Sequence, residues 1–327
     1  MFEVTNVIFN EHMILFGQVK SEQMIDGGRA LEKVSLTPDV SLSRIALGFW
    51  RLADEKLSKS YFLKFIEEVI DLGITTMDHA DSYGRYTEEA IFGDFLKGRK
   101  DLKQRMEFVS KVSLVYPGKH ARVKYYDNSK DYIIKQVERS LKKLDIDQLD
   151  VLLLHRPDWL QDPEEVALAF DQLYNEGKVK SFGVSNYLPS QYRALESYLN
   201  QSLVTNQIQC SAIDYENFEN GTIDLCMEKR IHPMIWSPLS GGELFTSQEE
   251  NIKKVRSVME EIAEEIGAES IAEVAYAWLL RHPSKMIPIV GSYRIDYVKP
   301  AVKALDYQLT NEQWYMIWTA YKGHKVP

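Results

Sequence analysis

Short apolar runs alternate with amphipathic segments along the chain from about residue 44 onward. Runs such as RIALGFW and LDVLLLH predict buried strands, and the second is almost continuously apolar, which is typical of a strand covered on both faces. Segments such as SKSYFLKFIEEVIDLG place apolar residues at helical spacing, with Ser58 positioned to cap the helix at its start and Gly73 at its end. The alternation therefore predicts strands that are joined by helices.

Eight strands and eight helices are predicted in this way. The strands are RIALGFW, ITTMD, MEFVSKVSL, LDVLLLH, VKSFGVSN, LVTNQIQ, IHPMIWSPL and KMIPIVGS. The helices are SKSYFLKFIEEVIDLG, RYTEEAIFGDFLKG, SKDYIIKQVERSLKKLD, DPEEVALAFDQLYNEGK, LPSQYRALESYL, FENGTIDLCMEKR, ESIAEVAYAWLLRH and the closing RIDYVKPAVKAL. Such alternation indicates parallel strands with crossover helices. Eight units in one domain favour an α/β fold that closes as a (β/α)8 TIM barrel over an open, doubly wound sheet.

The segment LEKVSLTPDVSLS comes before the first barrel strand and predicts a β-hairpin that turns at Pro38 and Asp39. We expect this N-terminal hairpin to close the bottom of the barrel. Residues 31–327 then form a single barrel domain. Residues 1–30 are interpreted as an N-terminal arm, with Met24 as a plausible alternative start.

Composition limits the classes of partner. The chain has 327 residues, of which 45% are hydrophobic and 27% charged, an ordinary globular balance. Its formal net charge of −9 argues against nucleic acid or an anionic membrane as the main partner. Cys210 and Cys226 are its two cysteines and give no disulfide framework, which favours a cytoplasmic location. We expect neither a signal peptide nor a membrane span.

Polar residues collect where the predicted strands end, which is where barrel enzymes carry their chemistry. In MDHADSYG, Asp78 ends an apolar strand, and a charge in apolar surroundings is costly unless it is paired. Lys111 ends the next strand and is a possible partner. A buried Asp–Lys pair beside Tyr83 favours the phenolate and lowers the pKa of the tyrosine from about 10. A tyrosine tuned in this way can act as a general acid.

Several of these motifs resemble those of a known family. MDHADSYG, SK, LLLHRPD, GVSNY and WSPLSGG closely resemble the aldo-keto reductase superfamily, and GFWRL with GHKVP resembles its bacterial YdhF-like oxidoreductases. The resemblance implies NADPH-dependent reduction of a small-molecule aldehyde or ketone, with NAD as a possible cofactor and no metal. It implies a catalytic tetrad of Asp78, Tyr83, Lys111 and His155. In this tetrad Tyr83 protonates the carbonyl oxygen, His155 orients the carbonyl, Lys111 tunes Tyr83, and Asp78 holds Lys111.

The same resemblance implies a set of cofactor-binding residues. Ser185, Asn186 and Gln207 would bind the carboxamide, and Trp236 would stack on the nicotinamide ring. The loop SPLSGGEL would wrap the pyrophosphate, and Gly48 with Trp50 would flank the cofactor and the pocket mouth. The implied positions of the loop and of the adenosine end are Ser237, Pro238, Leu239, Gly241, Gly291, Ser292 and Arg294.

The chain departs from the family pattern at the adenosine end. The family often has a Lys–Ser pair after the last strand and an arginine five residues beyond that serine. Here Gly291 and Ser292 are followed at that spacing by Tyr297, so Arg294 remains the candidate for the 2′-phosphate. NADPH is still the expected cofactor. A Gly-x-Gly-x-x-Gly fingerprint is lacking after the first strand, which argues against a Rossmann dehydrogenase.

Two other functions stay open at this point. Some members of the family, such as potassium-channel β-subunits, serve mainly as cofactor-sensing regulatory modules. A metal-dependent barrel hydrolase would use Asp78, His79, Asp81 and His155 as ligands, but the sequence lacks a His-x-His pair and metal-ligand spacing.

Residues near the tetrad have simpler interpretations, and the substrate and the oligomeric state stay open. His79 is predicted to be structural, Asp81 to cap a loop, and Arg156 to pair with Asp158 or to line the pocket. A preference for small or apolar carbonyls is suggested by aromatic residues expected at the mouth, which are Trp50, Tyr83, Trp159 and Tyr215.

Overall fold

Eight parallel strands close into a barrel in the computed structural model, which describes residues 31–118 and 121–327. Around the barrel the strands follow the order β10, β11, β12, β3, β4, β5, β8, β9. The strands of the chain are β1 Lys33–Thr37, β2 Val40–Ser43, β3 Ala46–Gly48, β4 Thr76–Asp78, β5 Glu107–Val112, β6 Leu114–Val115, β7 Tyr125–Tyr126, β8 Leu149–Leu154, β9 Val179–Ser185, β10 Leu203–Gln209, β11 Met234–Trp236 and β12 Ile287–Val290. The predicted (β/α)8 TIM barrel is confirmed.

Helices form the outer layer. They are α1 Lys59–Asp71, α2 Glu88–Phe95, α3 Lys100–Lys103, α4 Lys130–Leu144, α5 Pro163–Asn175, α6 Pro189–Glu196, α7 Glu216–Glu219, α8 Thr222–Lys229, α9 Glu243–Thr246, α10 Glu250–Ile266, α11 Ile271–Leu280, α12 Ile295–Lys303 and α13 Asn311–Lys322. Short 3-10 turns lie at Tyr83–Arg85, Ser240–Gly242 and Ala304–Asp306. Within residues 31–118 and 121–327, no helix is long and apolar enough to cross a membrane.

Helix ends follow local capping chemistry. The Ser58 side chain accepts a hydrogen bond from the backbone N–H of Tyr61 at 3.2 Å, as its predicted capping role requires. Asp162 caps α5 by accepting from the N–H of Glu164 at 2.9 Å, and Pro163 occupies the first helical position. These contacts fix where α1 and α5 begin, and therefore how each helix returns to the next strand.

One predicted helix has the wrong bounds, and two long helices were not predicted. The predicted helix FENGTIDLCMEKR is two helices, α7 and α8, because Gly221 between them has a φ of 78° and ends the helical path. The sequence analysis also omitted α10 and α13, which pack against each other outside the barrel. The chain therefore closes with α13 rather than with α12.

The hairpin of β1 and β2 turns at Pro38 and Asp39, as predicted. Its apolar side chains join one cluster with the inward-facing side chains of the barrel strands. Members of this cluster are Val34, Val40, Leu42, Ala46, Val109, Val151, Leu153, Val204, Met234, Ile287 and Ile289. The hairpin thus closes the bottom of the barrel, and the polar chemistry is left to the opposite end. The proposed arm, residues 1–30, lies outside the described residues.

Candidate active site

Strand pairing brings the predicted tetrad together at the carboxyl end of the barrel. Asp78 pairs in register with Val109 of β5, two residues before Lys111. Side chains two apart on a strand share a face, so Lys111 points into the barrel above Val109. On β8 the inward residues Val151 and Leu153 precede His155 in the same way. Alternation along three neighbouring strands therefore aims the polar groups at one point.

Lys111 is the centre of the site. Its Nζ donates hydrogen bonds to Asp78 Oδ1 at 2.9 Å and Oδ2 at 2.8 Å, and to the carbonyl oxygen of His79 at 2.7 Å. It also lies 3.1 Å from the hydroxyl of Tyr83. Lys111 is fully buried and Asp78 is 2% exposed, so the ion pair is shielded from water. The partner that Asp78 requires is therefore Lys111.

Burial and the ion pair together shift the pKa values of the groups at this site. Burial lowers the pKa of Lys111, but Asp78 and Tyr83 together raise it by more than burial lowers it. The pKa of Lys111 therefore lies above the ordinary value of a lysine. Burial raises the pKa of Tyr83; the charge of Lys111 opposes this but does not cancel it. The expectation of a tyrosine pKa below 10 is therefore wrong for the chain alone. Tyr83 is held as a protonated phenol beside a charged ammonium group.

His155 faces Tyr83 edge-on, with 5.7 Å between ring centroids. Burial and the cations Lys111, Arg156 and Lys124 lower its pKa well below the usual range, so the ring is neutral. Its Nδ1 lies 3.4 Å from the hydroxyl oxygen of Ser82. If Ser82 donates this bond, Nε2 carries the ring proton and can donate it to a substrate oxygen.

Ser82 is a functional candidate that the sequence analysis missed. It lies inside MDHADSYG, directly before Tyr83, and is 1% exposed. Its contact with His155 joins the end of β4 to the end of β8, across β5, and depends on the direction of both side chains. The only signal in the sequence is therefore a hydroxyl residue next to the predicted acid.

A second group of predicted residues forms one hydrogen-bonded chain beside the tetrad. Trp236 Nε1 donates to Asn186 Oδ1 at 3.0 Å, and Asn186 Nδ2 donates to Ser185 Oγ at 2.7 Å. Ser185 Oγ donates in turn to the carbonyl oxygen of Gln207 at 2.9 Å. The Gln207 side chain donates to Asp78 Oδ1 at 2.8 Å. The predicted carboxamide residues are thus connected to the tetrad through Gln207.

Two loops beside these hydrogen-bonded residues have open space next to their backbones. Between β11 and α9, positive φ angles occur at Ser237, Ser240, Gly241 and Gly242, and a Cβ atom on either glycine would meet nothing within 4 Å. Pro238 and Leu239 complete this turn. After β12, Gly291 is exposed and equally open.

The adenosine-end candidates lie together at the start of α12. Ser292 Oγ accepts from the backbone N–H of Arg294 at 3.2 Å. The Arg294 guanidinium carbon lies 4.6 Å from the ring centroid of Tyr297. Tyr297 therefore positions Arg294 by stacking, although it supplies no charge of its own.

Gly48 and Trp50 occupy different surroundings. A Cβ atom on Gly48 would lie 2.7 Å from Cγ2 of Ile289, so close packing of β3 against β12 accounts for this glycine. Trp50 is 60% exposed, with the Arg51 guanidinium 4.9 Å from its ring. The loop that carries Trp50 is tied down where the backbone N–H of Ala53 donates to Glu88 Oε2 at 2.8 Å.

The Glu88 contact leads to a prediction about pH. Burial, helped by Asp54 and opposed by the Ala53 bond, raises the pKa of Glu88 from 4.5 to about 7. The folded chain then holds this proton more tightly than the unfolded chain, so Glu88 costs stability as pH rises from about 5 to 8. Glu88→Gln keeps the acceptor without the charge. We expect its free energy of unfolding in urea to exceed that of the wild type by about 1–2 kcal/mol at pH 8, and by much less at pH 5.

Glu55→Gln, an exposed change in the same loop, is the control and should give a difference that does not vary with pH. A pH-independent difference for Glu88→Gln as well would show that Glu88 is ionised throughout and that its carboxyl is not desolvated.

Several predictions for neighbouring residues can now be judged. His79 is buried and stacks on Phe49 at 4.4 Å, as a structural residue should. Asp81, which was predicted to cap a loop, is buried, and burial together with Glu89 raises its pKa. Tyr215 packs against Trp278, so it is a core residue and does not line the mouth.

The side chains after His155 also differ from expectation. Asp158 accepts from the N–H of Leu160 at 2.9 Å, and the described part of the chain contains no ion pair between Asp158 and Arg156. Trp159 is 93% exposed. Residues 31–118 and 121–327 hold no group of three or more metal-ligating side chains placed to bind an ion.

Comparison with known proteins shows the family of the chain. The model of the Aldo/keto reductase family matches residues 44–322. The uncharacterized oxidoreductase YcsN of Bacillus subtilis is 47% identical over 91% of this chain and its own full length, and the oxidoreductase YdhF of Escherichia coli is 43% identical with the same coverage. A 6-dehydroglucose reductase of Agrobacterium fabrum is 40% identical over 90% of this chain and its own full length.

Proposed function

Since the chain belongs to the aldo/keto reductase family and is an oxidoreductase, we propose that it reduces aldehydes and ketones to alcohols with NADPH, using Tyr83 as the proton donor. The observation that carries the proposal is the Lys111 ammonium group, which contacts both carboxyl oxygens of Asp78 and the hydroxyl of Tyr83. An acid, a cation that stabilises its conjugate base and a counter-ion for that cation are the parts that proton donation needs. The named activity of the Agrobacterium fabrum relative is also a carbonyl reduction.

The residues present fit a nicotinamide dinucleotide. Trp236 is half-buried and offers a ring face, and its indole N–H positions the Asn186 amide. Asn186, Ser185 and Gln207 offer the donors and acceptors that a carboxamide requires. The turn at Gly241 and Gly242 leaves room for a pyrophosphate to approach the backbone.

The reaction follows from the positions of these groups. NADPH, when bound, supplies the hydride that reaches the carbonyl carbon. As negative charge develops on the carbonyl oxygen, Tyr83 donates its phenolic proton, and the Nε2–H of neutral His155 donates a hydrogen bond to the same oxygen. The phenolate left on Tyr83 is stabilised by Lys111 at 3.1 Å. Asp78 keeps Lys111 charged throughout, which is why its negative charge is useful in an apolar barrel.

The preference for NADPH over NADH depends on Arg294. It is exposed, stacks on Tyr297 and has the planar guanidinium that suits a phosphate. Arg294→Ala should weaken NADPH about 10- to 100-fold, the equivalent of about 1.5–3 kcal/mol, and change NADH less than threefold. Dissociation constants for both cofactors, measured by fluorescence titration, test this.

Lys299→Ala removes an exposed cation from the same helix, α12, and is the matched control. It should leave both affinities nearly unchanged. Equal losses for NADPH and NADH in Arg294→Ala would mean that Arg294 contacts the part that the two cofactors share, and the basis for an NADPH preference would be lost.

The alternative of a regulatory module is not favoured, because YcsN, YdhF and the Agrobacterium fabrum relative are named as oxidoreductases or a reductase. Turnover of a panel of aldehydes with NADPH, followed at 340 nm, tests the function directly. Absence of turnover across the panel, with NADPH binding intact, would overturn the proposal.

A further inference from the structure

We propose that Arg156 binds an anionic group of the substrate, and that the preferred substrates are aldehydes or ketones that also carry a carboxylate. This inference rests on the proposed function, because it assigns the substrate class of the same site. It replaces the earlier expectation of small or apolar carbonyls, which depended partly on Trp159 and Tyr215. Tyr215 lies in the core, and Trp159 is almost fully in solvent.

Arg156 is well placed to contact a bound substrate. It directly follows His155 at the end of β8 and is half-buried. Its guanidinium carbon lies 5.7 Å from the ring centroid of Trp236, on which the cofactor ring is proposed to stack. Its charge is felt by both Tyr83 and His155, whose pKa values it lowers slightly beside the larger effect of burial, so it lies close to the two groups proposed to touch the carbonyl oxygen.

The charge of Arg156 has no counter-ion in residues 31–118 and 121–327. Its nearest acidic neighbour in sequence, Asp158, is engaged by the N–H of Leu160. Arg99 and Arg105 pair with Asp101 and Asp71, whereas Arg51 and Arg294, which also stack on aromatic rings without a carboxylate partner in the described residues, are exposed to water and Arg156 is not. A half-buried cation without a partner is costly, and stacking on an aromatic ring orients the guanidinium while leaving its N–H edge free to donate.

A second cation reinforces the field at the mouth. Lys124 lies in the segment between β6 and β7, with its Nζ 5.3 Å from the ring centroid of Tyr116. Like Arg156, it lowers the pKa of His155. The only tetrad carboxylate, Asp78, is already bound by Lys111. Arg156 and Lys124 are therefore two cations that act on His155, beside a tetrad carboxylate that Lys111 already neutralises.

A carboxylate suits this arrangement better than a doubly charged phosphate. Lys124 is exposed, so the half-buried Arg156 guanidinium is the cation placed to contact the group directly, and its planar fork matches the two oxygens of a carboxylate. Because Tyr83 and His155, and not Arg156, are proposed to contact the carbonyl oxygen, a carboxylate bound by Arg156 would be separated from the carbonyl by a short chain.

The test compares 4-oxobutanoate with its methyl ester, which share the aldehyde and the chain and differ only in charge. With NADPH, the wild type should show a kcat/KM at least tenfold higher for the acid. Arg156→Gln should lower kcat/KM for the acid about 10- to 100-fold, mainly through KM, and change the ester less than threefold. Arg156→Lys should restore part of the preference.

Arg51→Gln is the matched control. Arg51 also stacks on a tryptophan at the mouth, but its charge is not among those that act on Tyr83 or His155. This variant should keep the preference for the acid. The affinity for NADPH should be unchanged in all three variants.

Other results would overturn the inference. Equal losses for acid and ester in Arg156→Gln, or an equal loss for the neutral aldehyde glyceraldehyde, would make Arg156 a general positioning group. A loss of NADPH affinity would make it a cofactor residue. If the wild type reduces the ester and 4-nitrobenzaldehyde but shows no preference for the acid, the inference fails while the proposed function stands.

If no carbonyl compound is reduced, the proposed function fails and binding decides the inference separately. Butanoate should then change the tryptophan fluorescence of the protein at lower concentration than butanamide, and Arg156→Gln should abolish the difference. Equal responses to butanoate and butanamide would overturn the inference.

Discussion

Replacing Tyr83 with phenylalanine should lower turnover by about 10²–10⁴-fold and leave the barrel folded, because one hydroxyl is removed at an otherwise unchanged ring. Burial keeps Tyr83 protonated, and its hydroxyl lies 3.1 Å from Lys111 Nζ. Without that hydroxyl, the charge that develops on the carbonyl oxygen receives a proton only from water. Steady-state kcat with a saturating aldehyde measures the effect.

Tyr86→Phe is the matched control, three residues further along the chain. Its hydroxyl donates to the carbonyl oxygen of Leu114 at 2.8 Å and is not among the partners of Lys111. Its turnover should stay within a few fold of the wild type, and NADPH affinity should be preserved in both variants. Near-normal turnover in Tyr83→Phe would refute the assignment of the proton donor.

The largest effect on stability is expected at the Lys111–Asp78 ion pair, which lies next to the Tyr83 hydroxyl. Lys111→Met leaves the Asp78 carboxylate buried with the Gln207 amide as a neutral donor, and should cost about 3–5 kcal/mol. Lys111→Met combined with Asp78→Asn leaves no buried charge and should be more stable than Lys111→Met alone. Urea denaturation of the wild type, both single variants and the double variant measures the coupling.

A second cycle on the exposed pair Arg105 and Asp71 provides the comparison. Their charged atoms lie 3.3 Å apart, but both side chains are more than half exposed, so the coupling should stay below about 1 kcal/mol. Activity should be lost in every variant that lacks Lys111. If the stability losses at Lys111 and Asp78 simply add, the two side chains do not stabilise each other, and the explanation for a charge at the end of β4 is wrong.

The barrel could be predicted from the sequence because each strand is an apolar run of limited length between helical segments. The tetrad could be located because Asp78, Lys111 and His155 end three such runs. Helix α10 also has a clear signal, with buried apolar residues at helical spacing. It was missed because an alternating pattern assigns one helix to each strand, and α11 already filled that place.

What could not be predicted depends on the direction and distance of side chains. The sequence places Asp158 two residues from Arg156, which suggests a pair, but the loop turns Asp158 to its own backbone instead. The pKa of Tyr83 depends on a balance between burial and the charge of Lys111, and the sequence gives no measure of burial. The contact between Ser82 and His155 likewise appears only when β4 and β8 are placed around β5.

The order in which the barrel can be completed follows from one residue at its base. Arg44, just before β3, donates hydrogen bonds to the carbonyl oxygens of Leu280 and Met286, and β3 pairs directly with β12. The first barrel strand, β3, also pairs with β4, which follows soon after it, but the partner on its other edge, β12, comes only after more than two hundred further residues have been synthesised. Contacts so distant in sequence form late, because closing a long loop costs conformational entropy before the new contacts can stabilise the chain. During synthesis on the ribosome, one edge of β3 stays open until nearly the whole chain has emerged.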